Sequence, residues 1–146
     1  MTTTVPIARS DEQLMARART AEMLIPPRPA EIRRLRGHVA GTVLSGIAAA
    51  VVRDVLLVLS ELVANAVAAS PRDQQVRVAV RASRSAVLVI VENKATIDPH
   101  ALSFELPPPS DRSGRGLAVV TSLTSEFDLR SRAGLTRARA VIPTLP

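Results

Sequence analysis

Apolar and polar positions change period several times along the chain, and each change marks an element. Residues 75–81 alternate, with Val76, Val78 and Val80 set against Arg77 and Arg81, the period of a half-buried strand. Residues 86–91 are apolar throughout and read as a central strand, joined to the first by Ala82-Ser-Arg-Ser85. Residues 20–25 form a shorter strand that ends at Pro26-Pro-Arg-Pro29. Ile32, Leu35, Val39 and Val43 then recur at helical spacing over residues 30–44, with Pro29 at the helix start and Arg33, Arg34 and Arg36 on the other side. Gly46 interrupts the pattern before a second helix over residues 49–69, which a turn at Ser70-Pro71-Arg72-Asp73 closes. Residues 114–123 open with glycines and continue as an apolar helix; residues 126–132 and 135–142 flank Ala133-Gly134 as a hairpin.

The order is strand, helix, helix, hairpin, long loop, helix, hairpin, with no internal repeat. Strands and helices do not alternate regularly. The expected fold is therefore α+β, a two-layer sandwich with a mixed, mostly antiparallel sheet covered on one face by helices. Residues 1–18 read as a loose lead-in and residues 19–146 as one domain. The Pro- and Ser-rich excursion over residues 95–113 is too long to be an ordinary connection and reads as a lid that closes over a ligand.

Within the second helix, Glu61 and Asn65 stand one turn apart on a single face, surrounded by Leu56, Leu59, Leu62, Val63 and Val67. The density of apolar residues predicts a largely buried helix, in which a carboxylate and a carboxamide need polar partners. A hydrated divalent cation backed by phosphate supplies them: the Asn oxygen binds the ion and the Glu orients or deprotonates a hydroxyl. An ordinary i, i+4 pair at the helix edge has the same spacing. Gly114-Arg115-Gly116 precedes the third helix, where glycines let backbone approach a ligand and free amides favour an anion. Arg115 adds a cation for phosphate. A tight loop-to-helix turn needs the same glycines, and neither the Walker pattern nor the dinucleotide fingerprint is present.

Composition removes several function classes. Phe104 and Phe127 are the only aromatic residues, so base-stacking nucleic-acid modules lack their platforms. The net charge of +6 comes from eighteen Arg and Lys94, spread along the chain rather than gathered in a stripe, which argues against nucleic acid. With no Cys, thiolate chemistry is excluded, and His38 and His100 are too few and too far apart to suggest a zinc site. No apolar run reaches the ~18 residues of a membrane span, and the N-terminal residues carry no signal pattern, so the expected location is cytoplasmic.

Taken in order, the boxes resemble the GHKL ATPase family, and within it the small anti-sigma-factor serine kinases with the histidine-kinase-like ATP-binding (Bergerat-type) fold. Ser60-Glu61-Leu-Val-Ala-Asn65-Ala-Val is similar to that family's Glu-x-x-x-Asn box, and Gly114-Arg-Gly-Leu117-Ala-Val-Val to its second glycine box. Gly134-Leu-Thr136 through Ile142-Pro143 resembles its closing strand. The resemblance implies ATP and Mg²⁺ as ligands, Asn65 on the metal and Glu61 as catalytic base. It further places Gly114, Arg115, Gly116 and Leu117 at the phosphates, and Thr136 in the nucleotide site. Implied partners are a sigma factor or similar regulator, an antagonist protein phosphorylated on serine, and a second copy of the chain through the sheet edge or first helix. No histidine-bearing helix pair precedes these boxes, which argues against a sensor histidine kinase.

One box departs from the family pattern. Where the resemblance calls for Asp-x-Gly after the central strand, the chain has Asn93-Lys94-Ala95. The Asn oxygen can accept from an adenine amine without the charge of a carboxylate, and Ala95 adds a methyl beside the base. Asp98 is the nearest carboxylate that could substitute. These departures leave a second function open, a partner-binding protein that keeps the fold without ATP turnover.

Overall fold

The computed structural model describes residues 18–95 and 115–144. Five strands, β1 (Arg19–Ile25), β2 (Val76–Ala82), β3 (Ala86–Asn93), β4 (Glu126–Arg132) and β5 (Leu135–Pro143), form one sheet in the order β1-β2-β3-β5-β4. All four pairings are antiparallel. Three helices complete the described residues: α1 (Ala30–Gly41), α2 (Ala49–Ala69) and α3 (Arg115–Leu123). The α+β sandwich expected from the sequence is the fold observed. Among the described residues its sheet is antiparallel throughout rather than mixed.

Strand periodicity sorts side chains to two faces. Ile25, Val76, Val78, Val80, Val87, Val89, Val91, Ala138, Ala140 and Ile142 face the helices. There they meet Leu35 and Val39 of α1, Val55, Val58, Leu59, Leu62, Val63 and Ala66 of α2, and Leu117 and Val120 of α3. Buried aliphatic area is the main stabilising term, since the core contains almost no aromatic ring. On the other face Ala79, Ala86, Leu88, Ile90 and Val141 make a smaller apolar cluster. Around it Arg77 pairs with Glu22 and Glu92, and Arg139 with Glu126.

Two boundaries differ by more than one residue from those expected. α1 stops at Gly41 rather than near Leu44, although Val43 and Leu44 still enter the core through a turn that leads to Gly46 at φ +83°. β3 continues two residues past Val91, through Glu92 to Asn93, because β5 offers it partners as far as Thr136. The β4–β5 turn holds both Ala133 (φ 53°) and Gly134 (φ 76°) at positive φ, the requirement of a two-residue hairpin turn whose twist matches its strands. Glycine takes that conformation freely; Ala133 does so against its Cβ.

Candidate functional site

α2 is amphipathic rather than buried all round. Val55, Val58, Leu59, Leu62, Val63 and Ala66 point into the core, whereas Leu57, Ala64, Asn65 and Ala68 are exposed and Glu61 is half-buried. The largely buried helix expected from its apolar content is therefore corrected. Apolar residues outnumber the core-facing positions, and the surplus lies on the outer face. Glu61 and Asn65 consequently sit at the margin of the helix, the carboxylate partly sheltered and the carboxamide open to solvent. An exposed carboxamide beside a sheltered carboxylate suits a ligand that approaches from solvent.

The shelter over Glu61 comes from α3. Leu117 and Val120 anchor that helix in the core, which brings Gly116 directly against the Glu61 side chain. A Cβ at position 116 would overlap the Glu61 carboxylate and lie 3.3 Å from its Cδ. The glycine allows this close approach of the Glu61 carboxylate, and two segments 55 residues apart in sequence meet at one point. One turn of backbone before Glu61, Arg36 of α1 donates to the Leu56 carbonyl at 3.0 Å and to the Ser60 hydroxyl at 2.5 Å. Ser60 in turn donates to the Leu56 carbonyl at 2.6 Å. Arg36 thus ties α1 to the turn of α2 that carries Glu61. Sequence reasoning placed it with the outward arginines; its i+4 offset from Ile32 was the available signal.

A second group of polar residues closes the far end of β3. Asn93 is 3% exposed and pairs across the ladder with Thr136, which is 2% exposed. The Thr136 hydroxyl donates to the Ala95 carbonyl at 2.6 Å and lies 3.0 Å from the Ser131 hydroxyl. The Nδ2 of Asn93 is buried and has no hydrogen-bond partner among the described residues. A buried amide donor without an acceptor costs about 1–3 kcal/mol. Sequence reasoning found Asn93 and Thr136 but not Ser131, which only the β4–β5 register brings alongside.

Asp98 and Gly114 lie outside the described residues, as do residues 1–17 of the lead-in and, apart from Ala95, the Pro- and Ser-rich excursion read as a lid, and for Arg115 only the backbone is described. Among the described residues no three His, Asp or Glu side chains gather into a metal site. Mg²⁺ characteristically keeps few protein ligands and completes its shell with water and phosphate oxygens, which fits a lone Asn65. A cavity of about 350 Å³ lies at the opposite end of the sheet, lined by Arg19, Gly46, Ile47, Ala48, Ala82, Ser83, Arg84 and Thr144. None of Glu61, Asn65, Asn93, Gly116 and Thr136 borders it.

The sequence matches the family described as histidine kinase-like ATPase domain over residues 25–142, a span that includes Glu61, Asn65, Asn93, Gly116 and Thr136. The chain belongs to that family. Its fold is an ATP-binding one by family membership, and the GHKL resemblance read from the boxes holds. No curated protein matches the sequence.

Solved structures with the same fold include the RsbU and RsbW domains of a Mycobacterium tuberculosis protein, at 18% identity and a TM-score of 0.61. That match covers 88% of this chain and 33% of the other, so this chain spans about a third of the length of its relative. A chain of the SiaB–SiaC complex from Pseudomonas aeruginosa is 16% identical, with a TM-score of 0.60 over 97% of this chain and all (100%) of that one. The catalytic domain of the histidine kinase ThkA is also 16% identical, with a TM-score of 0.54 over 88% and 99% of the two chains. At these identities the likeness concerns the histidine kinase-like fold. No helix among the described residues is long and apolar enough to cross a membrane.

Proposed function

We propose that this protein is an ATP-dependent regulator of the anti-sigma-factor type, a serine-protein kinase that holds a sigma factor or similar partner and phosphorylates an antagonist protein. The observation that carries the reading is the seating of Gly116 on Glu61. It joins the carboxylate of one box to the glycine turn of the other at the margin of α2, beside the exposed Asn65. The similar solved structures support the regulatory half, since one contains an RsbW domain and another is a SiaB–SiaC complex.

In this reading Asn65 would ligate Mg²⁺ through its carboxamide oxygen. A bound Mg²⁺ would neutralise phosphate charge. Glu61 accepts the proton of the attacking serine hydroxyl, and its half-buried position keeps it within reach of a substrate while limiting water. The absence of a side chain at Gly116 leaves room for that carboxylate against the start of α3. The backbone amides at the start of α3 face developing negative charge on the phosphoryl group, with Arg115 as the adjacent cation. Asn93, beside Thr136, receives the base.

The test is thermal unfolding with and without Mg-ATP, followed by phosphate transfer to candidate antagonist proteins. A ligand at 100 times its dissociation constant adds about 2.7 kcal/mol of stability, so a saturable rise in Tm is expected. No rise would remove the nucleotide from the function. A second reading, a partner-binding protein without turnover, is favoured by the Asn93-Lys94-Ala95 departure; a Tm rise without transfer to any partner would support it.

A further inference from the structure

Resting on the nucleotide reading above, we propose that residue 93 relaxes the choice of base, so that the site takes a 6-oxopurine nucleotide about as well as an adenine nucleotide. The argument starts from the unpartnered amide. Asn93 is 3% exposed and its Nδ2 has no acceptor among the described residues. Its ladder partner Thr136 has its hydroxyl committed to the Ala95 carbonyl and to Ser131. Glu92, the next carboxylate along β3, is on the opposite face, where it accepts from Arg77 at 3.1 Å. No acceptor among these described neighbours serves Nδ2, and in the proposed complex a ligand oxygen takes that role.

A carboxylate at this position can only accept hydrogen bonds. It would take the amine at C6 of adenine and repel the oxygen at C6 of guanine or hypoxanthine. A carboxamide carries one acceptor and one donor, and a half-turn of the amide presents either. Toward adenine, Oδ1 accepts from the amine. Toward a 6-oxopurine, Nδ2 donates to the C6 oxygen and acquires the partner it lacks. The buried surroundings sharpen the effect, because a mismatched polar pair in a dry site is penalised far more than in water. Replacing the expected carboxylate by Asn93 therefore removes the repulsion that enforces adenine and adds a donor that welcomes the alternative.

Inosine triphosphate isolates this contact, since it carries the C6 oxygen without the extra 2-amino group of guanine. Dissociation constants of Mg-ATP and Mg-ITP would be measured by calorimetry for the whole chain and for Asn93→Asp. The wild type should bind the two within about tenfold of each other, and Asn93→Asp should shift the ratio toward ATP by about tenfold or more. A wild-type preference for ATP larger than tenfold overturns the proposal without any variant, which keeps it testable if Asn93→Asp fails to fold. An ATP-to-ITP ratio that Asn93→Asp leaves unchanged overturns it as well. If neither nucleotide binds the wild type, the nucleotide reading itself falls. If ATP binds with strong preference, only the inference about residue 93 does.

Discussion

Gly116 lies so close to Glu61 that no side chain fits between them: a methyl group at position 116 would occupy the space of the Glu61 carboxylate. The contact is made by the far end of a flexible side chain, so the conflict can be relieved by rotating Glu61 rather than by moving a helix. This separates a structural role for the glycine from a chemical one.

Gly116→Ala should therefore leave the fold intact and disable the carboxylate. Alanine is favoured over glycine in a helix by about 1 kcal/mol, which offsets the local crowding. Tm should stay within a few degrees (~3 °C) of the wild type, while phosphoryl transfer falls by about tenfold or more. Parallel unfolding and transfer assays check this. Transfer at the wild-type rate would mean that the orientation of Glu61 does not matter.

Asn65→Ala should abolish the stabilisation by Mg-ATP at little cost to the apo protein. Asn65 is exposed, so its truncation should change unfolding free energy by no more than about 0.5 kcal/mol. Urea unfolding with and without Mg-ATP measures both quantities. An undiminished response to nucleotide would take Asn65 out of the site.

Glu61→Gln should keep nucleotide affinity within about threefold and stop transfer. A base contributes mainly in the transition state, so its removal acts on kcat and spares binding. Calorimetry paired with a transfer assay distinguishes this from a general loss of the site, in which both would fall together.

Thr136→Val should destabilise by about 1–2 kcal/mol, because the shape is kept while the hydroxyl that links Ala95 to Ser131 is lost. Asn93 sits across the ladder from it, so nucleotide affinity should weaken as well. Chemical denaturation and calorimetry of the same preparation test the two effects.

Ala133→Asn should stabilise the protein by about 0.5–1 kcal/mol, since asparagine tolerates the positive φ that alanine adopts there under strain. The position is exposed at the tip of the β4–β5 hairpin, so nucleotide binding should not respond. A lower Tm would contradict the turn geometry.

The sequence by itself determined the elements and their order. Residues 49–69 are helical as their spacing requires, the alternation around Val76, Val78 and Val80 gives β2, and Ala133-Gly134 marks the last hairpin. These signals are local, because the period of side chains along a helix or strand is fixed within a few residues. The identities of Glu61, Asn65, Asn93, Gly116 and Thr136 as site candidates were also legible, through the order of their boxes. What only the tertiary structure decided is how those residues are placed. That β5 lies between β3 and β4 is set by long-range pairing, and this pairing puts Thr136 and Ser131 beside the end of β3. Helical spacing put Glu61 and Asn65 on one face but could not say how deep that face lies. Depth depends on where α3 and the sheet pack, and packing left Asn65 open, sheltered Glu61 under Gly116, turned Arg36 inward to Ser60 and buried the Asn93 amide without a partner among the described residues. Burial is a property of the whole assembled core, and so no local pattern encodes it.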